Sequence, residues 1–163
     1  MNFLNVKSEE EIKNLVNLAS EIWNEYWTII LSQSQINYML DKFQSYEAIK
    51  NQINNERYIY NILEDNGNII GYFGASIKDE YLFLSKLYIK KDFRGLGCGK
   101  VAFNKIKQIA LKNNKKLIRL TVNKNNLNTI KAYEKWGFET IEAVVTDIGN
   151  GFVMDDYIME FRL

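Results

Sequence analysis

The 163-residue chain contains no histidine, no proline and a single cysteine, Cys98. Without histidine the commonest general base and the commonest metal ligand are missing. Proton transfer must therefore rest on Tyr, Glu, Asp, Lys, Cys or water, and no metal site is expected. A Cys–His nucleophile pair and an internal disulfide are both excluded, so packing or simple tolerance is the better reading of Cys98. With no proline-rich, Gly/Ser-rich or repetitive stretch to mark a linker, residues 1–163 read as one domain with one core. An excess of one charge sign is missing too: the net charge is +1, which gives no field favouring nucleic acid or an anionic membrane surface. No apolar run approaches the ~20 residues of a membrane span, and the N-terminus shows no signal-peptide pattern. A cytoplasmic location is the expectation.

What is present is ordinary globular composition, 47% hydrophobic and 25% charged, with a clear change of period along the chain. Asn2–Val6 alternates like a short strand. Ser8-Glu9-Glu10-Glu11 is a capping box opening a helix whose buried face should carry Ile12, Leu15, Val16, Ala19, Ile22 and Trp23. Helices are expected from about Gln33 through Phe43 and near Glu47–Ile53. From Arg57 the pattern becomes strand-like. Tyr58–Leu63 and Ile69–Lys78 flank Asn66-Gly67, a type I′ hairpin signal, and Gly71 and Gly74 mark bulges or close backbone approach. Tyr81–Ile89 is a third strand. Val101–Leu111 and Leu127–Lys135 read as helices around a strand at Leu117–Val122, and Glu139–Asp147 and Phe152–Arg162 close the chain as a hairpin. An antiparallel meander followed by alternating helices and strands predicts a mixed sheet in an α/β architecture.

The segment from Leu87 to Lys100 is where chemistry concentrates. An apolar strand ends, a short polar connection follows, and Arg94-Gly95-Leu96-Gly97-Cys98-Gly99 opens a helix. Glycines allow an anion close to the backbone, and first-turn amides are unpaired donors at the positive end of the helix dipole. Arg94 and Lys100 add positive charge at the rim. The chemistry is that of phosphate or pyrophosphate recognition, and three ligand classes compete for it. A Walker A loop would need glycine where Arg94 stands and a hydroxyl where Val101 stands. A dinucleotide fingerprint fits Gly97-x-Gly99-x-x-Ala102, but an acid should end the next strand and Thr121-Val122-Asn123 stands there instead.

The third class fits best. Arg-x-x-Gly-x-Gly after a Leu-x-Ile strand resembles the acetyl-CoA signature of the GCN5-related N-acetyltransferase (GNAT) family. The run from Asn126 to Phe138 is similar to the same family's Asn-x-x-Ala-x-x-x-Tyr-x-Lys-x-Gly-Phe element, with Thr129 in place of the usual alanine. The resemblance implies a mixed, mostly antiparallel central sheet flanked by helices, with strands splayed at the acetyl-CoA site. It implies that the backbone of Leu87, Tyr88 and Ile89 pairs with pantetheine and that the amides of Arg94, Gly95, Leu96, Gly97, Cys98, Gly99 and Lys100 hold the pyrophosphate. Asn126 would bond the pantetheine arm and Lys135 would reach the nucleotide phosphate. Tyr133 would protonate the departing CoA thiolate, a role that suits a phenol of reference pKa ~10.

The acceptor is read less directly. Tyr26, Trp27 and Tyr38 suit a pocket wall that is apolar with wet edges, whereas Trp23 reads as core. Many GNAT relatives carry a glutamate base two residues before the Leu87 position; here that residue is Ser85, so the general base is not legible. The run Asp147–Glu160, with Asp155-Asp156 inside it, and the strings Ile22-Trp23 and Gln35–Leu40 resemble bacterial acetyltransferases of spermidine and spermine. A small-molecule amine is the expected partner, a polyamine by that resemblance, and a homodimer is compatible with it. Two alternatives stay open: acetylation of a protein N-terminus or lysine, which needs an open groove, and a non-catalytic acyl-CoA-binding domain, which has no reason to keep Tyr133.

Overall fold

The computed structural model describes residues 1–163. Its strands are β1 (Asn2–Asn5), β2 (Tyr58–Asp65), β3 (Asn68–Ile77), β4 (Leu82–Ile89), β5 (Leu117–Asn123), β6 (Glu139–Gly149) and β7 (Phe152–Arg162). Its helices are α1 (Glu9–Tyr26), α2 (Gln33–Gln44), α3 (Tyr46–Asn55), α4 (Cys98–Lys112) and α5 (Leu127–Trp136). The strands form one seven-stranded sheet in the order β1-β2-β3-β4-β5-β7-β6. Every neighbouring pair is antiparallel except β4 and β5, which is the mixed sheet expected.

Local signals set most of the boundaries. Ser8 Oγ accepts from the Glu11 amide while the Glu11 carboxylate accepts from the Ser8 amide, so the capping box that opens α1 is formed. Asn66 and Gly67 both take positive φ, 50° and 80°, as a type I′ turn demands. One face was read a residue off: Leu18 is buried on α1, whereas Val16 is only partly so. The chain also tightens into a short 3-10 turn at Trp27–Ile29, which the period did not reveal because a single turn carries no repeat.

The two sheet faces carry separate cores. Phe73, Leu84, Phe103, Ile106, Leu120, Tyr133 and Met159 pack beneath α4 and α5. Leu15, Ala19, Ile22, Ile49, Tyr60 and Tyr72 pack beneath α1 and α3. A smaller third cluster joins Trp23, Trp27, Ile36 and Met39 to Ile148 at the tip of the β6–β7 hairpin.

The feature that positions the site is a gap in the middle of the sheet. β4 and β5 pair only at Leu82–Ile118 and Phe83–Arg119. Beyond that rung β4 stays with β3 through Ile89, and β5 stays with β7 through Asn123. The parting begins at a β-bulge: Gly74 faces Lys86 while Ala75 faces Leu84, which leaves Ser85 as the extra residue. A bulge adds local twist and turns the strand away from its neighbour. Gly74 has its own reason here, since a Cβ on it would come within 2.5 Å of the Tyr60 ring.

Candidate active site

The glycine loop follows β4 through a short 3-10 turn at Lys91–Phe93. Gly95 and Gly97 take φ of 77° and 84°, and Gly97 caps α4 in the left-handed conformation. A side chain there would be strained. Gly99 is small for a different reason: a Cβ would meet the Trp136 ring at 3.1 Å. The amides of Gly95, Leu96, Gly97, Cys98 and Gly99 donate to nothing in the chain. The amides at either end of the expected cradle are taken, Arg94 by the Lys91 carbonyl and Lys100 by the Gly97 carbonyl. The donor set is thus narrower than the sequence suggested, and it sits at the positive end of a fifteen-residue helix. Cys98 lies in the first turn with its side chain against the core, in keeping with a packing role.

Arg94 differs from its expected place at the rim. Its Nε donates to the Ile89 carbonyl at 2.7 Å, one terminal nitrogen pairs with Glu25 at 3.0 Å, and the guanidinium lies over the Tyr26 ring. The side chain ties the loop to the end of α1. Lys100 sets its ammonium over Phe103 and Trp136, and Lys135 is exposed on α5.

Asn126 sits at the N-cap of α5 yet makes no capping bond. Its side-chain oxygen instead accepts from the Tyr26 hydroxyl at 2.7 Å, and that hydroxyl lies 2.9 Å from Thr129 Oγ1. The cap contribution of about 1 kcal/mol is given up for a contact between segments far apart in sequence. Thr129 thereby acquires a purpose that a small-for-small change did not suggest. Tyr133, on the next turns of α5, is buried against Trp136 and Phe138, and its hydroxyl has no hydrogen-bond partner in the chain. Burial, with the neighbouring Tyr26 acting in the same sense, pushes this phenol well above its ordinary range. It stays protonated at neutral pH.

Beside the end of β4 lies a nest of rings. Trp23, Trp27, Tyr26 and Tyr88 lie with centroids 5.2–6.5 Å apart, mostly tilted or edge-on. Tyr26 and Trp27 lie together in this nest, edge to face. Trp23 is core, donating its N–H to Tyr72, while the Trp27 N–H is buried without a partner. Tyr38 departs from the expectation: its hydroxyl donates to the Ile148 carbonyl at 2.7 Å and its ring packs on Phe152. That side chain holds the β6–β7 hairpin, because α2 crosses the hairpin tip and not the end of β4. Tyr88 was assigned through its backbone alone, and its ring turns out to be the centre of the nest. Strand alternation puts it on the face opposite Leu87 and Ile89.

The three aspartates of the C-terminal run part company. Asp147 Oδ1 accepts from the Gly149 amide at 2.7 Å and so shapes the turn. Asp155 is exposed and paired with Lys124. Asp156 is 5% exposed, and its Oδ1 has no partner. Burial foremost, then the neighbouring Asp155, push its carboxyl up to about 6. Ser85 is the bulged residue of β4, half-buried, next to Lys86. Lys86 carried no sequence signal, yet it is buried with its ammonium on Gln52 and Tyr60, and burial lowers it to about 7.

No group of His, Cys, Asp and Glu in the structure is arranged to hold a metal ion, and no helix is long and apolar enough to cross a membrane. The PaiA N-acetyltransferase of Thermoplasma acidophilum, solved with coenzyme A, superposes over the full length of both chains with a TM-score of 0.81 at 23% identity. A spermidine N-acetyltransferase SpeG chimera from Vibrio cholerae matches with a TM-score of 0.71 at 19% identity, over 99% of this chain and 96% of that one. An uncharacterized N-acetyltransferase of Methanocaldococcus jannaschii is 29% identical over 90 residues, which is 51% of this chain and 40% of the relative. The likeness to the two solved structures is one of overall fold. The acetyltransferase (GNAT) family model matches residues 13–138, and the chain belongs to that family of acetyl-CoA-using acetyltransferases.

Proposed function

We propose that this protein transfers the acetyl group of acetyl-CoA to a primary amine of a small molecule, a polyamine such as spermidine or spermine. The observation that carries the reading is the alignment of three features along one gap. Free amides lie at Gly95–Gly99, an unpaired β4 edge runs from Leu84 to Ile89, and a protonated, unpartnered Tyr133 lies beyond them. The amides and the α4 dipole suit the pyrophosphate. The vacant β4 edge suits the amide groups of pantetheine, which would add as a strand does. Asn126 keeps its side-chain nitrogen free for the same arm, and Lys135 lies on the outer turn of α5 where a nucleotide phosphate would pass.

Along this path the amine attacks the thioester carbonyl and the carbonyl oxygen gains negative charge, which a β4 amide near Ile89 would meet. The carbon–sulfur bond then breaks, and Tyr133 supplies the proton that sulfur needs. A polyamine fits the aromatic nest of Tyr26, Trp27 and Tyr88, since ring faces attract alkylammonium groups. The spermidine enzyme among the structural neighbours supports that choice. Thiol release measured with acetyl-CoA and a panel of amines tests it: turnover of spermidine or spermine above simple monoamines is expected. Absence of turnover with both polyamines overturns the substrate, and absence with every amine overturns the activity.

A further inference from the structure

If the reading above holds, one proton is unaccounted for. An alkylamine reaches the site as its ammonium and must lose a proton before its lone pair can attack. The position at which relatives carry a carboxylate holds Ser85, a bulged residue whose hydroxyl is far too weak a base. Among the acids of the C-terminal run, Asp147 is spent on a turn, Asp155 on an ion pair with Lys124 and Glu160 on one with Arg119. Asp156 is not committed.

Asp156 lies opposite Asn123 on β5, four residues past Arg119, the last residue of β5 paired to β4. On β4, the same distance past Phe83 reaches Leu87 and Tyr88. Tyr88 and Asn123 thus flank the open end of the gap, and Asp156 stands one strand behind Asn123, near enough to bear on the Tyr88 phenol. Asp156 and Tyr88 also share a face: strand alternation sets Asp156 with Met154, and Met154 and Tyr88 both pack on the Trp23–Trp27 cluster. A carboxylate nine-tenths buried, with one oxygen unsatisfied, near the Tyr88 ring is costly to the fold. That cost has a use if a cation completes the site.

We propose that Asp156 is the general base, receiving the acceptor ammonium against the Tyr88–Trp27 rings and taking its proton. The proton moves from nitrogen to the Asp156 carboxylate, and the freed lone pair forms the carbon–nitrogen bond. As the tetrahedral centre collapses, the carbon–sulfur electron pair leaves on sulfur, which is protonated by Tyr133. The second surplus proton on nitrogen restores the Tyr133 phenol, and Asp156 returns its proton to solvent, so acetamide, thiol and one released proton balance. Charged and titratable neighbours bear on Asp156 from several elements: Asp155 on β7, Lys124 just after β5, Tyr88 on β4. Its strand partners Asn123 and Val144 carry no charge. A carboxyl raised to about 6 is ionised at neutral pH and close enough to it to accept and release a proton in each turnover.

The test is the pH profile of kcat/KM for spermidine with the wild type and Asp156→Asn. The wild type is expected to lose activity below about pH 6. The variant is expected to turn over at least ~10²-fold more slowly, with that acid limb gone, with unchanged acetyl-CoA affinity by calorimetry and with Tm at pH 7 equal or higher. Asp156→Glu, which keeps the base on a longer arm, should recover part of the rate together with the limb. Wild-type turnover by Asp156→Asn, or persistence of the limb in it, overturns the assignment and leaves the functional reading standing. A lowered Tm in Asp156→Asn counts against it as well, because neutralising an unpaired buried charge relieves the fold. No thiol release by the wild type with any amine removes the functional reading and this assignment together.

Discussion

The two ends of the split sheet are built differently. The donor end is made of backbone: five consecutive amides, two left-handed glycines and the first turn of α4. The proposed acceptor end is made of side chains, drawn from α1, β4, α5 and β7. Tyr26 meets Asn126 across 100 residues of sequence and Trp23 meets Tyr72 across 49. A backbone cradle depends on a few adjacent residues and tolerates change elsewhere. A side-chain nest exists only when distant elements have docked, and its composition can be altered ring by ring. The first arrangement suits a donor that is the same in every reaction, the second an acceptor that differs between relatives. Tyr26 joins the two, since its ring takes the Arg94 guanidinium and its hydroxyl reaches Asn126 and Thr129.

The comparison can be broken first at Tyr133, the proposed general acid, which belongs to neither of the two proposed binding sites. Tyr133→Phe should lower kcat by about 10²–10⁴-fold, the scale of a lost general acid, while calorimetry shows acetyl-CoA bound as before. An equal loss of binding would place the phenol in the donor site instead. At the donor end, Gly97→Val forces a branched residue to φ 84° at a cost of roughly 1–2 kcal/mol. About a tenfold weaker acetyl-CoA Kd is expected, with the amine KM unchanged when the donor is saturating.

The third prediction concerns stability and separates the buried charges of the acceptor face. Lys86 is lowered to about 7 in the fold, so the unfolded chain binds its proton more readily between there and the ordinary lysine range. Stability should therefore rise with pH from about 7 toward 10. Tyr60, Tyr72 and Tyr88 are raised by burial, so their contribution is present below the ordinary tyrosine range and lost above it. Asp156, raised to about 6, adds a loss of stability as pH climbs from about 4 to 6. A Tm-against-pH curve should peak near 9–10, and Lys86→Met should flatten its rise between 7 and 9. The smallest effect is expected at the bridge. Tyr26→Phe removes two hydrogen bonds of about 1 kcal/mol each, and both Kd for acetyl-CoA and KM for the amine should rise a few-fold. A change in only one of them would mean that the two ends are not joined through this ring.

Much of the fold was written locally. The capping box at Ser8, the Asn66-Gly67 turn and the strand-to-helix change around Gly95–Gly99 each work through neighbours along the chain, and each forms as the sequence implies. Gly74 was legible as a place of close approach, but not that the Tyr60 ring fills it or that the opposing strand bulges at Ser85. Residues lost to the sequence reading are those whose role depends on a partner elsewhere. Tyr38 reads as one more aromatic near Trp27, and only the crossing of α2 over the hairpin makes it a hairpin brace. Lys86 reads as a surface lysine until three strands and α3 close over it.

The sequence alone determined the donor. Glycine spacing, the strand before it and the asparagine–tyrosine helix after it are short-range patterns that specify a backbone shape suited to acetyl-CoA. Only the tertiary structure decided what the acids at the other end do. Asp147, Asp155 and Asp156 are alike as letters and lie within ten residues of one another. A turn amide claims the first, Lys124 the second, and the third is left buried with one oxygen unpaired. Burial and partners set the chemistry of a carboxylate, and both are properties of the packed molecule.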